Sequence, residues 1–245
     1  GNYVAPLTVT DRCNTTALDT KNITVTLNPH PFTIVAENLE IPWDLAFLPD
    51  GDLLVTERTG HLVRTSKRVG SEQIRISVEG ATTGGEAGLL GIVLHPDFAT
   101  NQWLYLYVTI STNGSSQNQV LRYRLTGNTL ADKTVIISGI PASNYHDGGR
   151  LEFGPDGLLY ITTGDANFNF FGQFLDSLAA KILRVRDDGS IPSDNPFGTA
   201  VYSWGHRNPQ GLAWDVQGRL WSTEHGATAH DEINLIQAGG NYGWP

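Results

Sequence analysis

The chain has 245 residues, enough for one substantial core, and it is rich in turn formers, with 27 glycines and 12 prolines. A formal net charge of −9, from 25 acidic side chains against 16 Lys and Arg, argues against a nucleic-acid binder. No apolar run reaches the roughly 20 residues of a membrane-spanning helix, and the single cysteine, Cys13, excludes an intrachain disulfide and a cysteine-based zinc site. Residues 1–33 are Thr-, Asn- and Pro-rich and read as a lead-in, either flexible or supplying an outer strand. Asn14, Asn22 and Asn113 each begin an N-x-Ser/Thr sequon, read as chance matches in a Ser/Thr-rich chain.

From residue 34 onward one unit recurs, so 34–245 reads as a single repeat domain. WDLAFLPDGDLLVTE (43–57), GRLEFGPDGLLYITT (149–163) and QGLAWDVQGRLWSTE (210–224) align without a gap. Leu45, Leu151 and Leu212 correspond; Gly51, Gly157 and Gly218 share a turn position; Thr56, Thr162 and Thr223 close the match. Alternating apolar and polar residues on both sides of a turn predict a β-hairpin. A looser copy, GIVLHPDFATNQWLYLYVTI (91–110), has its turn widened around Phe98–Gln102. The turns lie 47 to 61 residues apart, a spacing that fits propeller blades with long loops better than a sandwich. The hairpins would supply inner strands, with VLRYRLTG (120–127) and KILRVRDDG (181–189) as outer strands and a short helical turn over Phe174–Leu183.

Several residues stand where chemistry is expected. Gly84–Gly91 is glycine-rich, but no lysine follows in the manner of a phosphate-binding loop. His95, in a turn-forming HPDF, reads as structural. His146 opens a loop, HDGGR, and Asp165 ends the hairpin that follows, so the out-and-back path returns both to one blade end. A carboxylate beside an imidazole fixes its tautomer and raises its basicity, giving a general base; the alternative is a histidine bonding a loop carbonyl while Asp165 caps a turn. Arg207 and Asn208 lie in GHRNPQ, where Pro209 holds Asn208 extended. The forked guanidinium suits carboxylates or a developing oxyanion, or else it ties neighbouring blades together. Asp231 and Glu232 read, from the residues alone, as solvated turn residues.

The blocks HDGGRLEFGPDGLLYITTGD, GHRNPQGLAWD, EHGATAHDEINLI and GGNYGWP together resemble the soluble glucose/sorbosone dehydrogenases that use pyrroloquinoline quinone (PQQ) and calcium. The resemblance covers roughly residues 36–245 and implies an all-β, six-bladed propeller, of which about four blades are present. It therefore implies that C-terminal blades are missing and that a blade face is left unpaired. It implies that His146 takes a proton from the C1 hydroxyl of a sugar while Asp165 orients it, and that Arg207 stabilises the developing oxyanion. Arg207 and Asn208 would contact the cofactor. The backbone carbonyls of Gly226 and Ala227 would hold the calcium that also binds PQQ, and Asp231 and Glu232 would match a separate structural calcium. Glu86 stands where a substrate-contacting Gln is usual. Tyr145 replaces an acidic residue of glucose-oxidising members, and Phe168, Phe170 and Phe171 replace a more polar loop, so the substrate is expected to differ from free glucose. Ala227 stands where Pro is common; a carbonyl ligand needs no particular side chain.

The implied reaction oxidises an aldose at C1 to the lactone, with an external electron acceptor and a periplasmic or extracellular location. Two alternatives stand beside it. One is a non-catalytic propeller that binds a ligand or a protein partner. The other is a calcium-dependent lactonase, which would need carboxylates such as Glu57, Asp165 and Glu224 gathered around an axial metal.

Overall fold

The computed structural model describes residues 2–10, 16–24, 34–68, 70–112 and 114–245. Cys13, Asn14 and Asn113 lie outside the described residues. The chain divides into two compact units, Gly1–Val35 and Ala36–Pro245. In the first, β1 (Asn2–Thr10) pairs antiparallel with β2 (Thr16–Thr24), Asn2 opposite Thr24, in a sheet of their own.

The second unit is a run of antiparallel sheets in chain order, four blades of a β-propeller. The first blade comprises β3 (Pro42–Phe47), β4 (Leu53–Glu57), β5 (His61–Thr65) and β6 (Gln73–Ser77). The second comprises β7 (Leu89–Leu94), β8 (Trp103–Thr112), β9 (Ser115–Thr126) and β10 (Thr129–Pro141). The third comprises β11 (Leu151–Phe153), β12 (Leu159–Thr163), β13 (Lys181–Val185) and β14 (Val201–Trp204). The fourth has three strands among the described residues, β15 (Pro209–Trp214), β16 (Leu220–Glu224) and β17 (Glu232–Ile236).

Each aligned sequence copy is the first hairpin of a blade. Asp50 and Asp156 accept the backbone N–H two residues on, which favours the turn at the following glycine. The matched threonines have a shared task. The Thr56 and Thr162 hydroxyls accept the N–H of Asp44 and Arg150, and Thr109 does the same for Gly88. Each thus satisfies a donor where the innermost chain enters its blade.

The core lies between blades, because strand alternation sends successive side chains to opposite faces. From β8, Leu104, Leu106 and Val108 pack towards the first blade, while Tyr105 and Tyr107 pack towards the third. A fully buried Leu such as Leu104 or Leu106 contributes about 1.5–3 kcal/mol relative to exposure. Tyr160 and Ile182 meet Leu212, Leu220 and Ile236 between the third and fourth blades. On the faces with no neighbouring blade among the described residues, Leu45, Phe47 and Ile233 stand exposed.

One local expectation needs correction, and two gain detail. The widened turn at 98–102 is a single helical turn, α1 (Phe98–Asn101), closed by Gln102 in the left-handed region. No helix forms over 174–183: a 3-10 turn lies upstream at Asn169–Gln173, and β13 already begins at Lys181. The upstream position follows from Lys181, whose buried Nζ draws in the carbonyls of Phe171 and Ala179. Finally, 120–127 and 181–189 lie outside the inner hairpins as expected, as third strands, with β10 and β14 at the edge.

Candidate active site

The loops on one face of the blades bring together residues far apart in sequence. His146 sits in the β10–β11 loop with φ +63, a left-handed conformation uncommon for a side chain with a Cβ. Its backbone N–H donates to Glu86 Oε2 at 2.8 Å, and Gly164 fits against its carbonyl so closely that a Cβ there would collide with both that oxygen and Asn208 Oδ1. Gly164 is therefore what lets the loops of His146, Asp165 and Asn208 converge.

The imidazole makes two polar contacts. Nδ1 lies 2.7 Å from Asp165 Oδ1, and Nε2 lies 3.0 Å from Arg207 Nη2. A guanidinium only donates, so Nε2 must be the accepting nitrogen and Nδ1 carries the proton to Asp165. Asp165 is buried, and its other oxygen accepts from Trp244 Nε1 at 2.9 Å. Arg207 lies over the Trp244 ring, 5.4 Å from its centroid, and its buried Nε has no partner. His146, Asp165 and Arg207 are thus brought together as the sequence predicts. Trp244 is an addition that sequence reading missed, though its GGNYGWP segment was in view.

Arg207 and Asn208 are set by a second buried network. Glu224 accepts from the backbone N–H of both, and from His206 Nδ1 at 2.8 Å. His206 Nε2 in turn meets Ser203 Oγ at 2.8 Å, and its ring stacks on Tyr242 with centroids 4.6 Å apart. Asn208 points away from any cleft: its Oδ1 accepts from Gly148 N and Gln210 Nε2, joining the two loops. Its carbonyl oxygen is thus a brace between the two loops. Glu86 likewise anchors the His146 backbone. Beside His146, Asp147 is buried, with Oδ1 bonded by Asn118 Nδ2 and Ser143 N and Oδ2 without a partner. Burial pushes its carboxyl up to about 6.

Tyr145 is exposed and lines a polar groove with Asn167 and Phe168. A cleft of about 120 Å³ is lined by Arg207, His225, Gly226, Glu232 and Trp244. Gly226 backs onto the carbonyls of Ala229 and His230 too tightly for any Cβ, and its N–H donates to Asp231 Oδ1. Glu232 accepts from Asn234 instead of joining Asp231. His225 lies beside Asp231 at 3.6 Å, and His95 is packed among Trp103, Tyr105 and Phe153.

Among the described residues, the one side-chain cluster with metal-ligand proximity is Glu40, Glu57 and His61, and Arg75 already forms an ion pair with Glu57 there. The carboxylates of Glu57, Asp165 and Glu224 are not gathered; each is occupied by Arg75, His146 or His206. The cage required by a lactonase is therefore not assembled.

Residues 39–245 match the sequence profile of Glucose / Sorbosone dehydrogenase. The chain belongs to this family. It is 37% identical to Quinoprotein glucose dehydrogenase B of Acinetobacter calcoaceticus over 86% of this chain and 52% of that protein. It is also 37% identical to Aldose sugar dehydrogenase YliI of Escherichia coli, over 86% of this chain and 61% of that protein. The solved PQQ-bound aldose sugar dehydrogenase from Streptomyces coelicolor superposes with a TM-score of 0.81 at 42% identity, over 86% of this chain and 64% of that one. The chain thus spans roughly half to two-thirds of the length of these relatives. No helix of the described residues is long and apolar enough to cross a membrane.

Proposed function

We propose that this chain carries the proton-transfer half of a PQQ- and calcium-dependent aldose dehydrogenase that oxidises a sugar at C1 to the lactone. The observation that carries the reading is the Asp165–His146–Arg207 line, in which one nitrogen is oriented by a buried carboxylate and the other is left as an acceptor. The reaction removes a proton from the C1 hydroxyl and a hydride from C1.

His146 Nε2 takes the proton, the sugar hydroxyl replacing Arg207 at that atom. Asp165 holds the Nδ1–H and stabilises the imidazolium that forms. Arg207, relieved of Nε2, offers its guanidinium to the oxygen on which charge develops. Trp244 and the Glu224 network hold Asp165 and Arg207 in register while this happens. When bound, PQQ with its calcium supplies the electrophilic carbonyl that accepts the hydride.

The residues present fit that group. PQQ is an anionic planar quinone, and the cleft at Arg207 offers a guanidinium with an unpartnered buried Nε beside an indole face. Gly226 and Ala227 would hold calcium through backbone oxygens, which suits a hard cation with six to eight oxygen ligands; Asp231 and Glu232 would serve a structural calcium. An external acceptor would reoxidise the cofactor, in a periplasmic or extracellular setting.

The test is a PQQ titration in the presence of calcium, followed by the absorbance change on adding an aldose. Saturable binding with sugar-dependent reduction supports the reading. No binding at high PQQ and calcium would favour a non-catalytic binding propeller.

A further inference from the structure

Lys181, at the start of β13, is fully buried, and no carboxylate is among its bonding partners. Its Nζ meets carbonyl oxygens instead: Ala179 at 2.7 Å, Phe171 at 2.8 Å and Gly172 at 3.4 Å. An ammonium taken out of water is costly unless its hydrogens are bonded, and here three N–H donors meet three acceptors. A neutral amine has two donors and a lone pair that would face the third carbonyl. Burial brings the Lys181 amine down to about 8. Along the elements packed around it, the nearest other titratable groups are Asp165 beyond β12, His206 beyond β14 and Asp176 in the loop. The first two are committed to His146 and Glu224, and Asp176 is exposed.

All three carbonyls belong to one loop, residues 166–180, which starts at Asp165 and reaches the candidate site by two routes. Gly172 lies so close to the Trp244 carbonyl that a Cβ would collide with it, and Gln173 Nε2 donates to the same oxygen at 2.6 Å. Trp244 in turn gives its indole N–H to Asp165 Oδ2. The second route is backbone: Gly172 and Ala180 carbonyls accept from the N–H of Gly205 and His206, just before Arg207. Both partners of His146 thus lean on the loop that Lys181 gathers.

We propose that Lys181 is a positioning residue for the proton-transfer line: its ammonium draws the 166–180 loop inward, the loop seats Trp244 against Asp165, and loss of the ammonium proton releases that seat. The inference rests on the dehydrogenase reading for its effect on rate, but not for the seating of Trp244.

The test follows the Trp244 indole N–H in the cofactor-free chain by proton–nitrogen correlation NMR. The chain has six tryptophans, and Trp244→Phe assigns the signal. Trp221, whose indole N–H bonds Asp215 on the surface, is the control. From pH 7 to about 9.5 the Trp244 proton should move upfield with a midpoint near 8 as its bond to Asp165 loosens, while Trp221 stays fixed. Lys181→Met, its fold checked by circular dichroism, should show the high-pH Trp244 position at pH 7 and no titration. If Lys181→Met does not fold, Lys181→Gln takes its place, with two N–H donors as in the neutral amine; if neither folds, the wild-type titration decides alone. A Trp244 signal fixed across this range, or the same titration without Lys181, would overturn the proposal. In the PQQ- and calcium-loaded chain, Lys181→Met should slow single-turnover reduction by about tenfold or more with cofactor affinity unchanged, and a wild-type rate would also overturn it. The outcomes separate from those of the quinone test: a Trp244 response without sugar-dependent PQQ reduction keeps the seating and sinks the dehydrogenase, and the reverse pattern sinks the seating alone.

Discussion

Two histidine–carboxylate pairs lie in this domain with almost the same local geometry. His146 Nδ1 is 2.7 Å from Asp165, and His206 Nδ1 is 2.8 Å from Glu224. Their second nitrogens differ. His146 Nε2 faces Arg207 on a partly exposed ring, whereas His206 Nε2 is closed off by Ser203 and its ring is covered by Tyr242. The His206 side chain is fully buried, and that of His146 is 16% exposed. The Ser203–His206–Glu224 line has the atoms of a nucleophilic triad, yet no substrate can reach it. Access, rather than the pair itself, separates a base from a scaffold, and Glu224 spends its second oxygen on the backbone that carries Arg207 and Asn208.

Substitutions can break the comparison in opposite directions. His146→Ala should lower the rate of sugar-dependent cofactor reduction by about 10²–10⁴-fold, the span that a positioned acid–base group supplies, while its loss of stability in urea melts, cushioned by the donors Asp165 keeps in Trp244 and Asn167, should be smaller than that of His206→Ala. His206→Ala should reverse the pattern: it leaves the buried Glu224 without its partner and should cost about 3–5 kcal/mol of stability in urea melts. If both variants lost activity alone, or both lost stability alone, the distinction would fail.

Asp165→Asn sharpens the first pair. An amide oxygen can still accept from Nδ1, but its NH2 then faces the donor Trp244 Nε1–H, and the negative charge that stabilises the imidazolium is gone. Single-turnover reduction should slow by about 10–100-fold with little change in cofactor affinity. An unchanged rate would show that Asp165 only positions the ring.

Asp147 gives a pH signature. Its folded carboxyl is pushed up to about 6 by burial. The folded state therefore holds a proton that the unfolded chain releases at lower pH, and this contribution is fully present below the unfolded value and lost as pH rises through about 6. Asp147→Asn keeps the acceptor for Asn118 and Ser143 without the charge. It should match wild type in urea melts near pH 4 and exceed it above pH 7 by roughly 2–3 kcal/mol. A constant difference across that range would mean that Asp147 does not titrate there.

Much of this was legible in the chain. Gap-free alignment of three hairpins placed the blades, because alternation and Asp-Gly turns are local properties. His146, Asp165 and Arg207 were found because each ends or begins such a hairpin on the same face. Trp244 was missed because its bond to Asp165 spans 79 residues and depends on how the third and fourth blades meet. Glu224 was singled out only as a candidate ligand for the lactonase alternative, since a glutamate at a strand end shows nothing of the three donors it has collected. The 3-10 turn at 169–173 was misplaced because a buried lysine, ordinarily a surface residue, organises it. Residues whose role is set by neighbours in other blades leave little trace in their own segment.

The most direct test of the central claim is anaerobic single-turnover mixing of the PQQ- and calcium-loaded chain with glucose and a trisaccharide, in wild type, His146→Gln and His206→Gln. The account predicts rapid reduction of the bound cofactor in wild type, reduction in whatever fraction of His206→Gln remains folded, and none above background in His146→Gln despite undiminished PQQ binding. Reduction by His146→Gln at the wild-type rate would contradict it.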